Sequence, residues 1–407
     1  MRPLRLLGLT NLYPPDARGG YGEICADVME GLASRGHSVR MLVCGEAPTD
    51  LRSGGPGRPD GVEVRRELAY VLAPWRRPLR GLRAVAHDQS VVVKALAAGA
   101  DVALIWHMRG VMKTSLRLLH EAGIPVLYML HDRWVLYERA GPWLVPWPVA
   151  DRVGFTALRD AAGRFGSARV ELRSPPIERE GVVCFVSNWL RQEYARLGWR
   201  PRDARVVPCG VAVERIRSLR MHPPEPPFSR LLFAGRVHPS KGLQVGVEAL
   251  ARAGEPFRLT VAGPEDDPRY LSRVRTLAGA LGVSDRIDWR GEVSRSEVLR
   301  LLGEHDVLLY PSVAPEAYSL GLLEALAAGA LILTSAVGGP REYLEGGRNA
   351  LLFDPGDAET LAGHLTRVAS DRALAGSLLE GAHATADTMS IESILDQVEG
   401  IIAEVVR

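Results

Sequence analysis

From Pro315 to Gly329 the chain reads PEAYSLGLLEALAAG, and a segment of this kind has to be buried. Leu320, Leu322, Leu323 and Leu326, with the alanines between them, leave no polar face, and a helix apolar all round belongs in a core. Gly329 stands where a helix stops, in a position that glycine fills at least cost. Glu324 is the exception, because a carboxylate in mid-helix is costly there without a partner. Residue types alone leave its partner open: an arginine, a gap to solvent, or a ligand. Glu316 comes earlier, after Pro315, in what reads as a loop. Were every residue between them helical, Glu316 and Glu324 would lie ~12 Å apart, with the amide-rich start of the helix in between. Such a start attracts phosphate. Two carboxylates flanking it suit a sugar nucleotide, with hydroxyls at each end and a diphosphate in the middle.

A chain of 407 residues exceeds what one core supports and predicts two domains. Short apolar runs alternate with helical patterns throughout, which argues for parallel α/β sheets. Leu4–Leu9 is strand-length and carries no signal-peptide cleavage site, and no stretch approaches membrane-span length. Cys25, Cys44, Cys184 and Cys209 are scattered without a CxxC pair, which favours reduced core thiols in a cytoplasmic protein over metal or disulfide. Neither an Asp-x-Asp pair nor a His/Cys cluster marks a metal site. The net charge of +2 hides an asymmetry: residues 1–228 hold 33 Lys+Arg against 23 Asp+Glu, a balance of +10, and the remainder is −8. A basic half suits a phosphate-bearing or anionic partner, including a membrane surface, or is spread over solvated faces. Only Lys94, Lys113 and Lys241 are lysines among 50 basic residues, as in a high-GC genome, so each retained lysine is of interest.

Along the chain, Gly19, Gly20 and Gly22 fall between the first strand and a helix bearing Ile24, Val28, Met29 and Leu32. That is the carboxyl end of a strand, where open α/β sheets bind ligands, and glycines let a backbone approach an anion. The spacing is not the six-residue dinucleotide fingerprint, which disfavours a dehydrogenase. Residues 50–90 read as irregular, with Trp75, Arg76, Arg77, Arg80 and Arg83 forming a basic aromatic stretch fit for anionic lipid, an acidic acceptor, or a plain surface loop. Two further strands end in His107 and His131. For His107 a surface or satisfied role is expected; His131, beside Asp132 and Trp134, is read as a site residue. Trp143 and Trp147 sit among prolines in a loop suited to acceptor recognition or to packing beneath it. Met221–Phe228 (MHPPEPPF) is a stiff linker. Past it, in GRVHPSKGL, Arg236 and Lys241 bracket a turn into a helix, where two cations can neutralise a diphosphate. Ser390–Arg407 closes as an amphipathic helix whose stripe includes Ile394, Leu395, Val398 and Ile402.

The Glu-x7-Glu spacing of Glu316 and Glu324 resembles the signature of the retaining glycosyltransferases of family 4. Its surroundings are similar as well: Leu308–Ser312 (LLYPS) before, Gly338–Gly339 after, and Asn349–Asp357 (NALLFDPGD) beyond. So are the Gly-Gly loop after YPP, the IPVLYMLHDRW strand, the FVSNWL and VVPCGVAVERI endings, and Gly-Arg-x4-Lys-Gly. The chain departs from the family at Ala317 and Ser319, where proline and glycine are usual, and a serine hydroxyl there bears on donor choice.

The resemblance implies the GT-B fold, two Rossmann-like doubly wound parallel-sheet domains facing a central cleft. Residues 1–220 would form the acceptor domain, 221–389 the donor domain, and 390–407 a helix crossing back to the first. It implies retaining transfer from a nucleotide-diphosphate sugar, with UDP the commonest in the family, to a small-molecule, lipid-linked or glycan acceptor. Glu316, His131, Arg236 and Lys241 would do the chemistry. Glu316 would position the sugar ring, His131 would hydrogen-bond the donor sugar and Glu324 would hold ribose hydroxyls. The donor would also meet Gly19, Gly20, Val293, Ser319 and Leu320, and the acceptor Asp132, Trp134 and Trp143. No cofactor and no metal are expected, nor any nucleic-acid partner; the expected location is cytoplasmic, with peripheral contact at the membrane's inner face through the basic half. A sugar-nucleotide epimerase of the same fold and a catalytically inactive scaffold subunit stay open.

Overall fold

The computed structural model describes residues 2–15, 20–45, 61–71, 78–111, 113–135, 180–220 and 223–406. The chain forms two compact units: Met1–Val207 with Leu395–Arg407, and Pro208–Ile394. The division thus falls before the proline-rich linker rather than within it, because Val211 already pairs with Ser390 inside the second unit.

The first unit is built on a parallel sheet in the order β3-β2-β1-β4-β5-β6-β7. The strands are β1 Arg5–Leu9, β2 Ser38–Cys44, β3 Val62–Leu68, β4 Val102–Ile105, β5 Val126–Leu130, β6 Val182–Phe185 and β7 Asp203–Val206. Strands β4, β5 and β6 are buried at every residue, as strands covered on both faces must be. The order runs outward in both directions from the β1–β4 pair, which makes that pair the switch point where the carboxyl ends open a crevice. Helix Gly20–Ser34 follows β1, His107 lies just past β4, and His131 and Asp132 follow β5.

Part of the stretch read as irregular is regular. β3 (VEVRREL) pairs with β2, and Pro78–Ala97 is a helix that buries Ala84, Val85, Val91, Val92 and Ala95. β3 escaped notice because it is an edge strand with charged residues on its open positions and no apolar run. Arg80 and Arg83 lie on the exposed face of the helix; Trp75, Arg76 and Arg77 lie outside the described residues. The helix Ile391–Val405 gives Leu395, Val398 and Ile402 to buried positions. Leu395 packs so closely on Gly31 that a β carbon there would fall 2.5 Å from its Cδ1. Glu399 accepts from Arg35 at 2.5 Å and meets His37 Nε2 at 2.9 Å.

The second unit repeats the plan with β10-β9-β8-β11-β12-β13. Here β8 is Arg230–Ala234, β9 Arg258–Ala262, β10 Ile287–Gly291, β11 Val307–Tyr310, β12 Leu331–Thr334 and β13 Leu351–Leu352. Its switch point lies between β8 and β11. The turn carrying Arg236 and Lys241 follows β8, and the loop carrying Glu316 follows β11.

The segment Pro315–Gly329 is helical only from Leu320 to Ala328, with Leu322–Ala328 buried. Ser319 caps it, accepting from the Leu322 N–H at 3.3 Å, and Gly329 ends it at φ 66°. Its carboxyl end is tied down by Arg220, whose Nε donates to the Ala328 carbonyl while Nη2 donates to Leu302 at 2.7 Å and to His305 at 3.1 Å. One cation thus satisfies the last carbonyls of two helices, Leu320–Ala328 and Arg295–Glu304. All four cysteines are buried thiols. No helix among the described residues is long and apolar enough to cross a membrane.

Candidate active site

In the second unit the turn after β8 is shaped by two residues. His238 caps the 3-10 turn Pro239–Lys241, its Nδ1 accepting from the Ser240 N–H at 3.2 Å. Gly242 follows at φ 67°, so close to the Pro311 carbonyl oxygen that a β carbon would lie 2.0 Å from it. Only glycine fits, and the close approach lets the Val313 N–H donate to the Ser240 carbonyl at 2.9 Å. The turn after β8 is thereby laid against the loop after β11.

That contact brings Lys241 to Glu316. Nζ donates to Glu316 Oε1 at 2.8 Å and to the Tyr310 hydroxyl at 3.1 Å. Tyr310 donates to Glu316 Oε2 at 2.7 Å, and Ser312 donates to Oε1. Ser319 donates to Tyr310 at 3.0 Å. Only 16% of the Lys241 and 17% of the Glu316 side chain is exposed. Burial pulls the Lys241 ammonium pKa down, but Tyr310 and Glu316 outweigh it and hold the group above its usual value. Burial and Glu316 push the Tyr310 phenol up to about 12 against the opposing pull of Lys241. The Glu316 backbone is equally fixed: its N–H donates to Val337 at 3.1 Å, and its carbonyl accepts from Gly339 at 2.8 Å.

The other expected residues are placed differently. Arg236 is paired outside the turn: its Nη1 meets Asp266 Oδ2 at 2.8 Å, with 52% of its side chain exposed. An acid on the neighbouring loop, invisible to motif spacing, claims it. Glu324 is partnered by an arginine, Arg295, whose Nε lies 3.0 Å from Oε1. Arg295 opens the helix after β10, capped by Ser294 and preceded by the half-buried Val293. The Ser319 hydroxyl, expected near a sugar, is committed to the helix cap and to Tyr310. Leu320 opens the helix, half-buried.

In the first unit, His107 is a satisfied histidine: Nε2 lies 2.8 Å from Asp132 Oδ2, and its ring stacks on Tyr21 with centroids 4.5 Å apart. Asp132 Oδ1 accepts from the Trp134 N–H at 2.9 Å. Burial pushes the Asp132 carboxyl up, but His107 and the Trp134 N–H bring it below its usual value. His131 stacks on Trp106 at 5.3 Å, and burial lowers its pKa to about 4, against the opposing charge of Asp132. It is a neutral imidazole at pH 7, able to donate one hydrogen bond and accept another. Trp134 is buried beneath Lys113, whose Nζ lies 5.7 Å from the ring centroid; burial holds that amine well below the usual lysine range. Gly20 starts the first helix. Gly19, Trp143 and Trp147 lie outside the described residues.

Sequence reasoning missed Tyr310, Ser312 and Arg295. Tyr310 was visible as part of LLYPS; its hydroxyl at the last position of a strand facing the switch point was the signal. Nothing local marks Arg295.

Two family descriptions cover most of the chain: residues 221–384 match glycosyl transferases group 1, and residues 18–215 match Glycosyltransferase Family 4. An uncharacterized glycosyltransferase of Methanocaldococcus jannaschii is 24% identical over 90% of both chains. The solved structure of a glycosyltransferase from Rickettsia africae superposes with a TM-score of 0.71 at 16% identity, covering 100% of both chains. Anabaena HepE, solved with UDP, superposes with a TM-score of 0.66 at 18% identity over 98% of this chain and 100% of that one. An exopolysaccharide phosphotransferase of Streptomyces coelicolor is 33% identical, but the match takes in 43% of this chain and only 19% of that protein. With both halves matched and the two parallel sheets in place, the chain belongs to glycosyltransferase family 4 and has the GT-B fold.

Proposed function

We propose that the protein transfers a sugar from a nucleotide-diphosphate sugar, a UDP-sugar, to an acceptor hydroxyl with retention of anomeric configuration. The observation that carries this is the Lys241–Glu316 pair at the switch point of the second sheet, beside the amino end of helix Leu320–Ala328. Lys241 supplies a positive charge that stays on through neutral pH, and the first amides of the helix supply dipoles. Arg236, released from Asp266, adds a second charge. Together they stabilise the departing diphosphate without a divalent ion. Glu316 orients the sugar ring, Glu324 receives the ribose hydroxyls, and Val293, Ser319 and Leu320 line the donor. Acceptor attack comes from the face the diphosphate leaves, and a donor phosphate oxygen takes the acceptor proton. Support for UDP comes from HepE, solved with that nucleotide.

The first unit supplies the acceptor residues Asp132, Trp134 and Trp143, the hydrogen-bonding His131, and backbone amides at Gly19 and Gly20. The +10 balance of residues 1–228 favours an acceptor that carries phosphate or is presented at an anionic lipid surface. A thermal-shift screen of nucleoside diphosphates and sugar nucleotides, followed by NMR of the product anomer, tests the reading. UDP-sugar binding, donor turnover that survives chelator, and a retained anomer are the expected results. An altered free sugar nucleotide formed without acceptor would make the protein an epimerase, and binding without turnover a scaffold.

A further inference from the structure

The hydroxyl of Tyr310 sits among three partners, and only one assignment of its proton is consistent with all of them. A phenol has one donor and two lone pairs. Lys241 Nζ, 3.1 Å away, can only donate to it, and the Glu316 carboxylate, 2.7 Å away, can only accept from it. The phenol proton therefore points at Glu316 Oε2. Ser319, 3.0 Å away, must then give its own proton to Tyr310 and fill the second lone pair. Ser319 can do so because the Leu322 N–H it caps asks it only to accept. The rotor is locked from both sides.

The consequence falls on Glu316. A carboxylate offers about four lone-pair positions. Oε1 is taken by Lys241 and Ser312, and Oε2 by Tyr310. Among the described residues, one position remains, on Oε2. Lys241 meanwhile has given two of its three protons to partners among them. The group that would grip a sugar thus presents a single acceptor site with its direction set.

We infer that Tyr310 is a positioning residue, fixed by Ser319 and Lys241, that holds Glu316 so that its carboxylate takes one hydroxyl of the donor sugar. This rests on the glycosyl-transfer reading above and deepens it. Tyr310 touches no reacting atom; it acts through Glu316. The role also gives Ser319 a second task beyond the helix cap: the serine supplies the proton that turns the phenol toward the acid.

The test compares the parent protein with Tyr310→Phe and Ser319→Gly. Phenylalanine keeps the ring, and glycine is tolerated at a helix cap with little loss. Calorimetry gives Kd for UDP and for UDP-glucose, and donor turnover gives kcat and KM. A hydrogen bond to a charged group is worth enough that Tyr310→Phe should lower kcat about tenfold or more. Its Kd for UDP should stay within about twofold, since Glu316 serves the sugar and not the nucleotide. Ser319→Gly should shift kcat in the same direction by a smaller factor. An unchanged kcat in Tyr310→Phe overturns the role, and so does a parallel loss of UDP affinity, which marks general damage to the unit. A parent protein that binds neither UDP nor UDP-glucose overturns the glycosyl-transfer reading itself.

Discussion

Arg295 and Glu324 meet at 3.0 Å, with 21% and 5% of their side chains exposed. The carboxylate in this apolar helix, buried from Leu322 to Ala328, is thus compensated from the first residue of the neighbouring helix. Under the proposed function, this carboxylate receives the ribose hydroxyls. Breaking the pair from the arginine side removes the guanidinium that faces a carboxylate only 5% exposed. Arg295→Ala should therefore destabilise the protein by about 3 kcal/mol, read as a lower urea midpoint. Glu324→Gln keeps the shape and loses the charge; it should weaken UDP binding about tenfold in calorimetry.

Lys241 is held between a phenol and a carboxylate, and the fit is that of a point charge. Lys241→Ala should lower kcat by about 10²-fold. Lys241→Arg keeps the charge, but a planar fork does not fit a site shaped for three rotatable protons, so it should recover less than a tenth of the parent rate. Steady-state kinetics on the two variants checks both expectations.

Gly338 stands at φ 87°, and a β carbon on it would lie 2.3 Å from the Glu316 carbonyl oxygen and 2.9 Å from its nitrogen. Both neighbours are backbone, so nothing can swing aside. Gly338→Ala should cost about 2 kcal/mol of stability and should displace Glu316. A fall in melting temperature accompanied by a fall in kcat is the expected pair of readings.

The His131 pKa of about 4 has a consequence for stability. Above pH ~6.5 the ring is neutral in both folded and unfolded chains. As pH falls toward 4, the unfolded chain binds a proton that the folded chain refuses, so stability is lost across that window. His131→Phe keeps the stack on Trp106 and removes the titration. Its urea midpoint should fall less than the parent's between pH 7 and pH 4.5; the difference between the two isolates this group from other histidines.

The features that sequence spacing revealed are the local ones. Gly329 as a helix stop, Lys241 at a turn after a strand, and Glu316 in a loop before a buried helix follow from residue type and order. Partners across the fold do not. Arg236 pairs with Asp266 because sheet order lays the loops after β8 and β9 side by side, and Glu324 meets Arg295 because the helices Arg295–Glu304 and Leu320–Ala328 pack together; no periodicity encodes either. β3 shows the same limit from another side: with β2 on one edge only, it needs no apolar run, and Val62, Val64 and Leu68 are too few to announce a strand. Tyr310 stands in the sequence only as part of LLYPS, because its hydroxyl matters only once Lys241 and Ser319 converge on it.

The helix Ile391–Val405 closes the first unit although nearly two hundred residues of the second are made before it. A nascent chain leaving the ribosome therefore cannot seal the first hydrophobic core when its own strands are complete. Leu395, Val398 and Ile402 arrive last, and until they do, Gly31 and its neighbours face solvent. A cut before residue 395 would leave that surface uncovered for the life of the molecule.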